Sequence, residues 1–356
     1  MNVSFGILAY NESDSIGTTL ESLFQQSLFT ETDSSYAIEI LVVPNGCTDE
    51  TAKISRVTLD KLVKQSAHAN VSWQVCEVEQ PGKSNAWNRY VHDFSNPAAD
   101  YLFLMDADIQ FLEPDTLRNM IHALETTPEA WVSTDIPVKD VALKDKKNVI
   151  ERLSVSVSRD VQNRERWAAI CGQLYCARAA MLRKIWMPVG LPSQDGFIRM
   201  MVITAGFTSP INCQRVVLAK SASHSFEAYI NLHSLLAHEK GQVMGNRINN
   251  WIYSYLRDNC NQEQDAGSLI KRLNDENPLW LRQLIQKTIA EKGWWLLPQW
   301  YAFRRFKRLQ GQPPQKLISK FPVTITAFLA DLVVAVQVNQ ELHKTGGLGY
   351  YWGKKG

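Results

Sequence analysis

The chain has 356 residues, with 38 Lys+Arg against 36 Asp+Glu, a formal net charge of +2, 45% apolar and 21% charged residues. At roughly 150 residues per domain, this describes two globular units or one large unit with an appendage. The totals exclude disorder, collagen, a multi-span membrane protein and a strongly basic nucleic-acid binder, while leaving a local basic patch open.

Residues 1–140 alternate two patterns. Short β-rich runs occur at Val3–Ala9, Ile38–Val43, Val71–Val78 and Tyr101–Met105. Helix-like segments lie between and after them, at Ser15–Gln26, Asp49–Ser66, Ser84–Asp93 and Pro114–Glu125. The runs are nearly continuous in apolar residues, as strands covered on both faces are, so a doubly wound parallel sheet is expected. Such sheets bind ligands beyond the carboxyl ends of their strands. Those ends read Ala9-Tyr10-Asn11-Glu12, Pro44-Asn45-Gly46-Cys47-Thr48-Asp49, Gln80-Pro81-Gly82-Lys83-Ser84 and Asp106-Ala107-Asp108. Each alone could be a helix cap or a turn, but four polar strand ends on one edge suggest a site.

Two phosphate motifs fail. Gly82-Lys83-Ser84 lacks the earlier glycine of a P-loop, because Glu77 stands there, and AYNESD has no glycine for a dinucleotide fingerprint. The sharpest feature is Asp106 and Asp108, after the apolar strand YLFLM. In an extended chain both would face one side and repel unless a cation lay between them. Mg²⁺, which takes one or two carboxylates plus substrate phosphates, would resolve that conflict.

In this order ILAYNES, VVPNGCTDET, EQPGKSNAWN, FLMDADIQF and PSQDGF resemble family 2 glycosyltransferases of the GT-A fold, over about residues 1–245. The resemblance implies an α/β fold, a Rossmann-like mixed and mostly parallel sheet with helices on both faces, followed by a C-terminal helical appendage. It implies that Ala9, Tyr10, Asn11 and Glu12 border the nucleobase and ribose, and that Asn45 and Asp49 form the second nucleotide loop. Asn45 replaces the family's usual Asp, and its amide oxygen could accept a uracil N–H. Lys83 would lie near the phosphates, Asp106 at the ribose or a metal-bound water, and Asp108 on Mn²⁺ or Mg²⁺ at the diphosphate. Asp195 of Ser193-Gln194-Asp195-Gly196-Phe197 would be the base for the acceptor hydroxyl, although an acidic residue at a helix start is favourable anyway. His224, after an expected strand Arg215–Ala219, falls where some metal-dependent relatives have a third ligand. Trp131–Pro137 would extend the sheet. Cys171–Tyr175 would form the floor near the acceptor, with Gly172 and Arg178 loosely matching a family pattern. Residues 147–166 suggest an amphipathic helix. HEKGQVMGNR lacks the Q-x-x-R-W of processive synthases.

Strand signal stops near Asn250, so a catalytic domain over 1–250 is expected, with a nucleotide-binding half (1–110) and an acceptor half (111–250), then an extension over 251–356. Helices are expected at 268–292 and 321–343. Between them, WWLLPQWYAFRRFKRLQGQPPQK mixes aromatic and basic residues, the composition of an interfacial membrane segment, though a packed aromatic surface accounts for it equally. Phe321–Val338 approaches spanning length but carries Asp331 at its middle, which costs roughly 2.5–3.5 kcal/mol on insertion, so a buried or membrane-resting helix is expected. The tail GGLGYYWGKKG reads as mobile and basic.

The functional expectation is therefore an inverting glycosyltransferase using a nucleotide-diphosphate sugar, with UDP as the nucleotide. Its acceptor is a small or lipid-linked hydroxyl, and residues 294–338 are candidates for contact with a membrane surface. The six cysteines form no C-x-x-C pair and the start lacks a basic n-region, so a cytoplasmic protein, peripheral at the inner membrane face, is expected. A nucleotidyltransferase lacks its Gly-rich signature here, and a degenerate binding module would be favoured only if Asp108 or Asp195 were missing.

Overall fold

The computed structural model describes residues 1–31, 35–66, 68, 70–143, 169–228, 232–261, 263–306 and 314–347. The expected 147–166 helix and the tail after 347 lie outside the described residues. The centre of the molecule is an eight-stranded mixed sheet in the order β3-β2-β1-β4-β7-β6-β8-β5. Its strands are β1 (Asn2–Ala9), β2 (Ala37–Pro44), β3 (Val71–Val75), β4 (Tyr101–Asp106), β5 (Ile109–Phe111), β6 (Val132–Lys139), β7 (Leu174–Arg178) and β8 (Val216–Phe226).

The first half is parallel: β1 pairs with β2 and β4, and β2 with β3. Central β1 is buried along nearly its whole length, which is why its sequence does not alternate. Edge strand β3 does alternate, with Ser72 and Gln74 exposed. It is shorter than the expected Val71–Val78 and ends as a single bridge between Asn45 and Val78. Helices α1 (Ile16–Phe24), α2 (Thr51–Gln65), α3 (Lys83–Asn88) and α4 (Thr116–Glu125) follow strands as expected. After α3 the chain widens into a π-helical turn, Arg89–Phe94, which seats Tyr90 against Gly6. A Cβ at Gly6 would strike that ring, so the small residue inside β1 makes room for a large one above it.

The second half of the sheet is mixed. β7 lies antiparallel between β4 and β6, and β8 runs parallel to β6 and antiparallel to β5. Strand β8 extends well past Ala219. Ser221 adopts φ +50° and the β6–β8 register shifts between Thr134 and Ile136, so a bulge carries the strand through a polar stretch that shows no strand pattern. His224 therefore lies inside β8 rather than after it.

Beyond the sheet come α5 (Gln194–Ile203), α6 (Leu232–Asn259), α7 (Ala266–Glu276), α8 (Trp280–Lys292) and α9 (Pro314–Thr345). The 268–292 helix is two helices, broken at Asn277-Pro278. The 28-residue α6 runs through residue 250 without interruption. Hydrophobic side chains fill both sides of the sheet, and one of these cores continues through α6, α7 and α8 to Val334, Ala335, Val338 and Leu342 of α9.

Candidate active site

The loops after β1 and β2 are tied together by polar contacts. Asn11 takes φ +55°, its N–H meets Cys47 Sγ at 3.3 Å, and its Oδ1 accepts the Thr48 N–H at 2.8 Å. Asn and Asp tolerate this left-handed conformation better than most side chains do. Asp49 accepts N–H groups from Ser13 and from Thr51, each at 3.1 Å, while the Thr51 hydroxyl oxygen accepts the Glu12 N–H at 2.8 Å. Burial raises the Asp49 pKa, but the Thr51 and Ser13 hydrogen bonds outweigh it, and the carboxyl sits below its ordinary value.

Asn45 is 3% exposed. Its amide donates to the Ala9 carbonyl at 2.7 Å, and its Oδ1 accepts the Gly82 N–H at 3.1 Å. The Asn45 amide thus joins the first three strand-end loops, and the oxygen expected to face a nucleobase accepts the Gly82 N–H instead. Gly46, at φ +64°, lies so close to Pro81 that a Cβ would collide with it.

The third loop starts α3 at Lys83, whose ammonium forms an ion pair with Asp106 and donates to the Gly172 carbonyl at 3.3 Å. Burial lowers the Lys83 pKa, yet Asp106, Asp195 and Asp108 together hold it above the ordinary lysine value. Asp106 is raised, chiefly by burial and further by Asp108 and Asp195, with Lys83 opposing. Four charged groups therefore share one small volume. Asp106 and Asp108 are not same-side positions of one extended strand, because Ala107 and Asp108 form a turn between β4 and β5. That turn still leaves Asp108 near enough to act on both Asp106 and Lys83.

Asp195 lies in the first turn of α5, where the helix dipole favours a carboxylate. Its carboxylate rests against Gly172, and a Cβ there would overlap it. Lys83, Asp106, Gly172, Tyr175, Gln194 and Asp195 meet at one small pocket, whose remaining lining is Leu8, Trp87, Leu104, Met105 and Ile198. Helix α6 holds the start of α5: Asn249 donates to the Ser193 carbonyl at 3.0 Å and Tyr253 to the Gly196 carbonyl at 2.7 Å.

His224 is fully buried. Its Nδ1 is 2.7 Å from Asp135 Oδ2 and its Nε2 is 3.4 Å from Gln173 Oε1. The Gln173 carbonyl in turn accepts the Asp106 N–H at 2.8 Å. Asp135 and Gln173 were not singled out in the sequence, although Asp135 stands as a lone acid inside the VSTDIP strand. Arg178 has a structural role, holding the Ala130 and Leu124 carbonyls at 2.9 and 2.5 Å.

Among the described residues, no three His, Cys, Asp or Glu side chains form a ready metal cluster. The donor set nevertheless suits Mn²⁺ or Mg²⁺. It consists of hard carboxylate oxygens around one ammonium, including a buried carboxylate held above its usual pKa, and such ions commonly take one or two carboxylates plus phosphates.

The family model for glycosyl transferase family 2 matches residues 4–186. The chain belongs to glycosyl transferase family 2. Its matched segment carries β1 to β7 with the strand-end loops, and Asp195 lies just beyond it. A 4,4'-diaponeurosporenoate glycosyltransferase of Staphylococcus aureus is 29% identical over 124 residues, 35% of this chain and 28% of that protein. The chain therefore spans under a third of that relative's length. The mannosyltransferase PcManGT from Pyrobaculum calidifontis, solved with GDP-Man and Mn²⁺, superposes with a TM-score of 0.56 at 17% identity, covering 95% of this chain and 86% of that one. The family 2 chain thus has the GT-A fold, with its helical C-terminal part included in the likeness.

Proposed function

We propose that this family 2 chain transfers a sugar from a nucleotide-diphosphate donor to an acceptor hydroxyl, with inversion at the anomeric carbon. The observation that carries the reading is the convergence of Lys83, Asp106 and Asp195 beside Gly172, with Asp108 close by. Asp195 accepts the hydroxyl proton as the acceptor oxygen bonds to the anomeric carbon. The bond from that carbon to the diphosphate breaks, and the electron pair leaves with the nucleoside diphosphate. The loops at Ala9–Glu12, Asn45 and Asp49 shape the base and ribose pocket, with Tyr10, 38% exposed, at its mouth. Lys83 meets the phosphates and Asp106 the ribose or a metal-bound water.

Asp108, with Asp106, would hold Mn²⁺ or Mg²⁺, which when bound neutralises charge on the departing diphosphate. His224 could join that ion only by releasing Gln173 from its Nε2. UDP is the nucleotide proposed. GDP is the second reading, because PcManGT was solved with GDP-Man.

Residues 1–110 would bind donor, residues 111–250 the acceptor, and residues 251–356 would form the extension. The acceptor hydroxyl belongs to a small molecule or a lipid-linked one, and the enzyme works on the cytoplasmic side. Replacing Asp108 with Asn tests the metal role. The expected outcome is loss of Mn²⁺-dependent transfer and donor hydrolysis, while an unchanged dependence on Mn²⁺ would refute it.

A further inference from the structure

Helix α9 is apolar on two opposite faces. Its inner face, with Val334, Ala335, Val338 and Leu342, is buried in the core shared with α6. Asp331 belongs to that inner face at 2% exposure. Arg304 and Arg305 each clasp it with two hydrogen bonds of 2.8–2.9 Å, and Arg304 also reaches Glu239 of α6 at 2.5 Å. The outer face carries Phe321, Ile325, Leu329, Val333 and Val336, all exposed and spaced to form one stripe. From 321 to 340 the only charged residue is Asp331, and it is turned inward. An exposed stripe this long with no outward charge marks an interaction surface.

We propose that this outer face of α9 rests on an anionic lipid bilayer, lying in the interface without crossing it. Three observations select that occupant. The segment from 299 to 320, leading into the stripe, contains no acidic residue, and beyond Arg304 and Arg305, which Asp331 and Glu239 engage, it carries Lys307, Arg308, Lys316 and Lys320, which suits an anionic surface. Trp294, Trp300 and Phe303 are each more than half exposed in the segment before α9, and such aromatic side chains favour the headgroup level. Although Val323–Thr345 is long and apolar enough to span, crossing would tear Asp331 from its two arginines and the inner face from the core. The inference rests on this surface and is independent of the proposed reaction.

Flotation of the full-length chain with defined vesicles tests it. The protein should float with vesicles of phosphatidylcholine plus phosphatidylglycerol, bind at least tenfold less to phosphatidylcholine alone, and be released by alkaline carbonate. The double variant L329E/V333E should lose at least tenfold in vesicle binding while keeping its thermal unfolding profile, since both side chains are exposed. If that variant unfolds, raised salt is the second reading, and it should release the wild-type chain from anionic vesicles. Retention after carbonate would overturn the proposal in favour of a span. Absence of vesicle binding, whether the chain sediments as a monomer or as a dimer that L329E/V333E dissociates, would overturn it as well.

Discussion

Asp195 carries the heaviest chemical assignment, and its neighbours explain how it is held. Gly172 lets its carboxylate approach the backbone, and the Gly172 carbonyl also receives Lys83, so one turn positions the proposed base and a cation together. Asp195→Asn keeps the size of the side chain but cannot accept the proton. Transfer should fall by about 10²–10⁴-fold, the usual contribution of a positioned base. Donor binding measured by calorimetry should stay within a factor of a few, and a parallel loss of donor affinity would show that Asp195 acts in binding instead. Some of this was legible in sequence: Asp106 and Asp108 stood out by type and position, and the family resemblance pointed to Lys83 and Asp195. The Gly172 contact was not, because a steric requirement between residues 23 positions apart leaves no local pattern. Asn45 was legible as important but not in its manner, since its partners Ala9 and Gly82 lie on two other loops.

Among the elements, α9 depends on one buried carboxylate. Burial raises the Asp331 pKa, but Arg304 and Arg305 outweigh it and hold the group below its ordinary value. A depressed folded-state pKa contributes stability that is present above the unfolded carboxyl value of 3.8 and lost as pH falls through the lower folded value. The C-terminal helices should therefore stay docked at pH 5 and release only in stronger acid. Asp331→Asn leaves Arg305 without its anion and Arg304 with Glu239 alone. It should cost about 3 kcal/mol, the low end for a broken buried pair because both arginines keep some water. Chemical denaturation checks the figure, and a loss under 0.5 kcal/mol would contradict the clasp. The strands and helices of the first half were readable because apolar runs and helical periods alternate there. Strand β8 was underestimated because its outer half is polar and follows a bulge at Ser221.

At the scale of the whole molecule, the near-neutral charge averages unlike regions. Carboxylates gather at the carboxyl edge of the sheet, while the segment from 299 to 320 is basic. Helix α6 connects the two, bracing the start of α5 through Asn249 and Tyr253 and meeting Asp331's partner Arg304 through Glu239. No composition shift marks that link, since α6 crosses residue 250 as one helix. The proposed transfer requires a donor held by metal and nucleotide together, and ligand-induced stabilisation measures that directly. Thermal unfolding should be followed with UDP-sugars and GDP-sugars, each with and without Mn²⁺. One nucleotide-sugar series should stabilise the chain only when Mn²⁺ is present, by about 2.7 kcal/mol at a hundredfold excess over Kd. No shift with any of these donors in Mn²⁺, or an equal shift without the metal, would contradict the account.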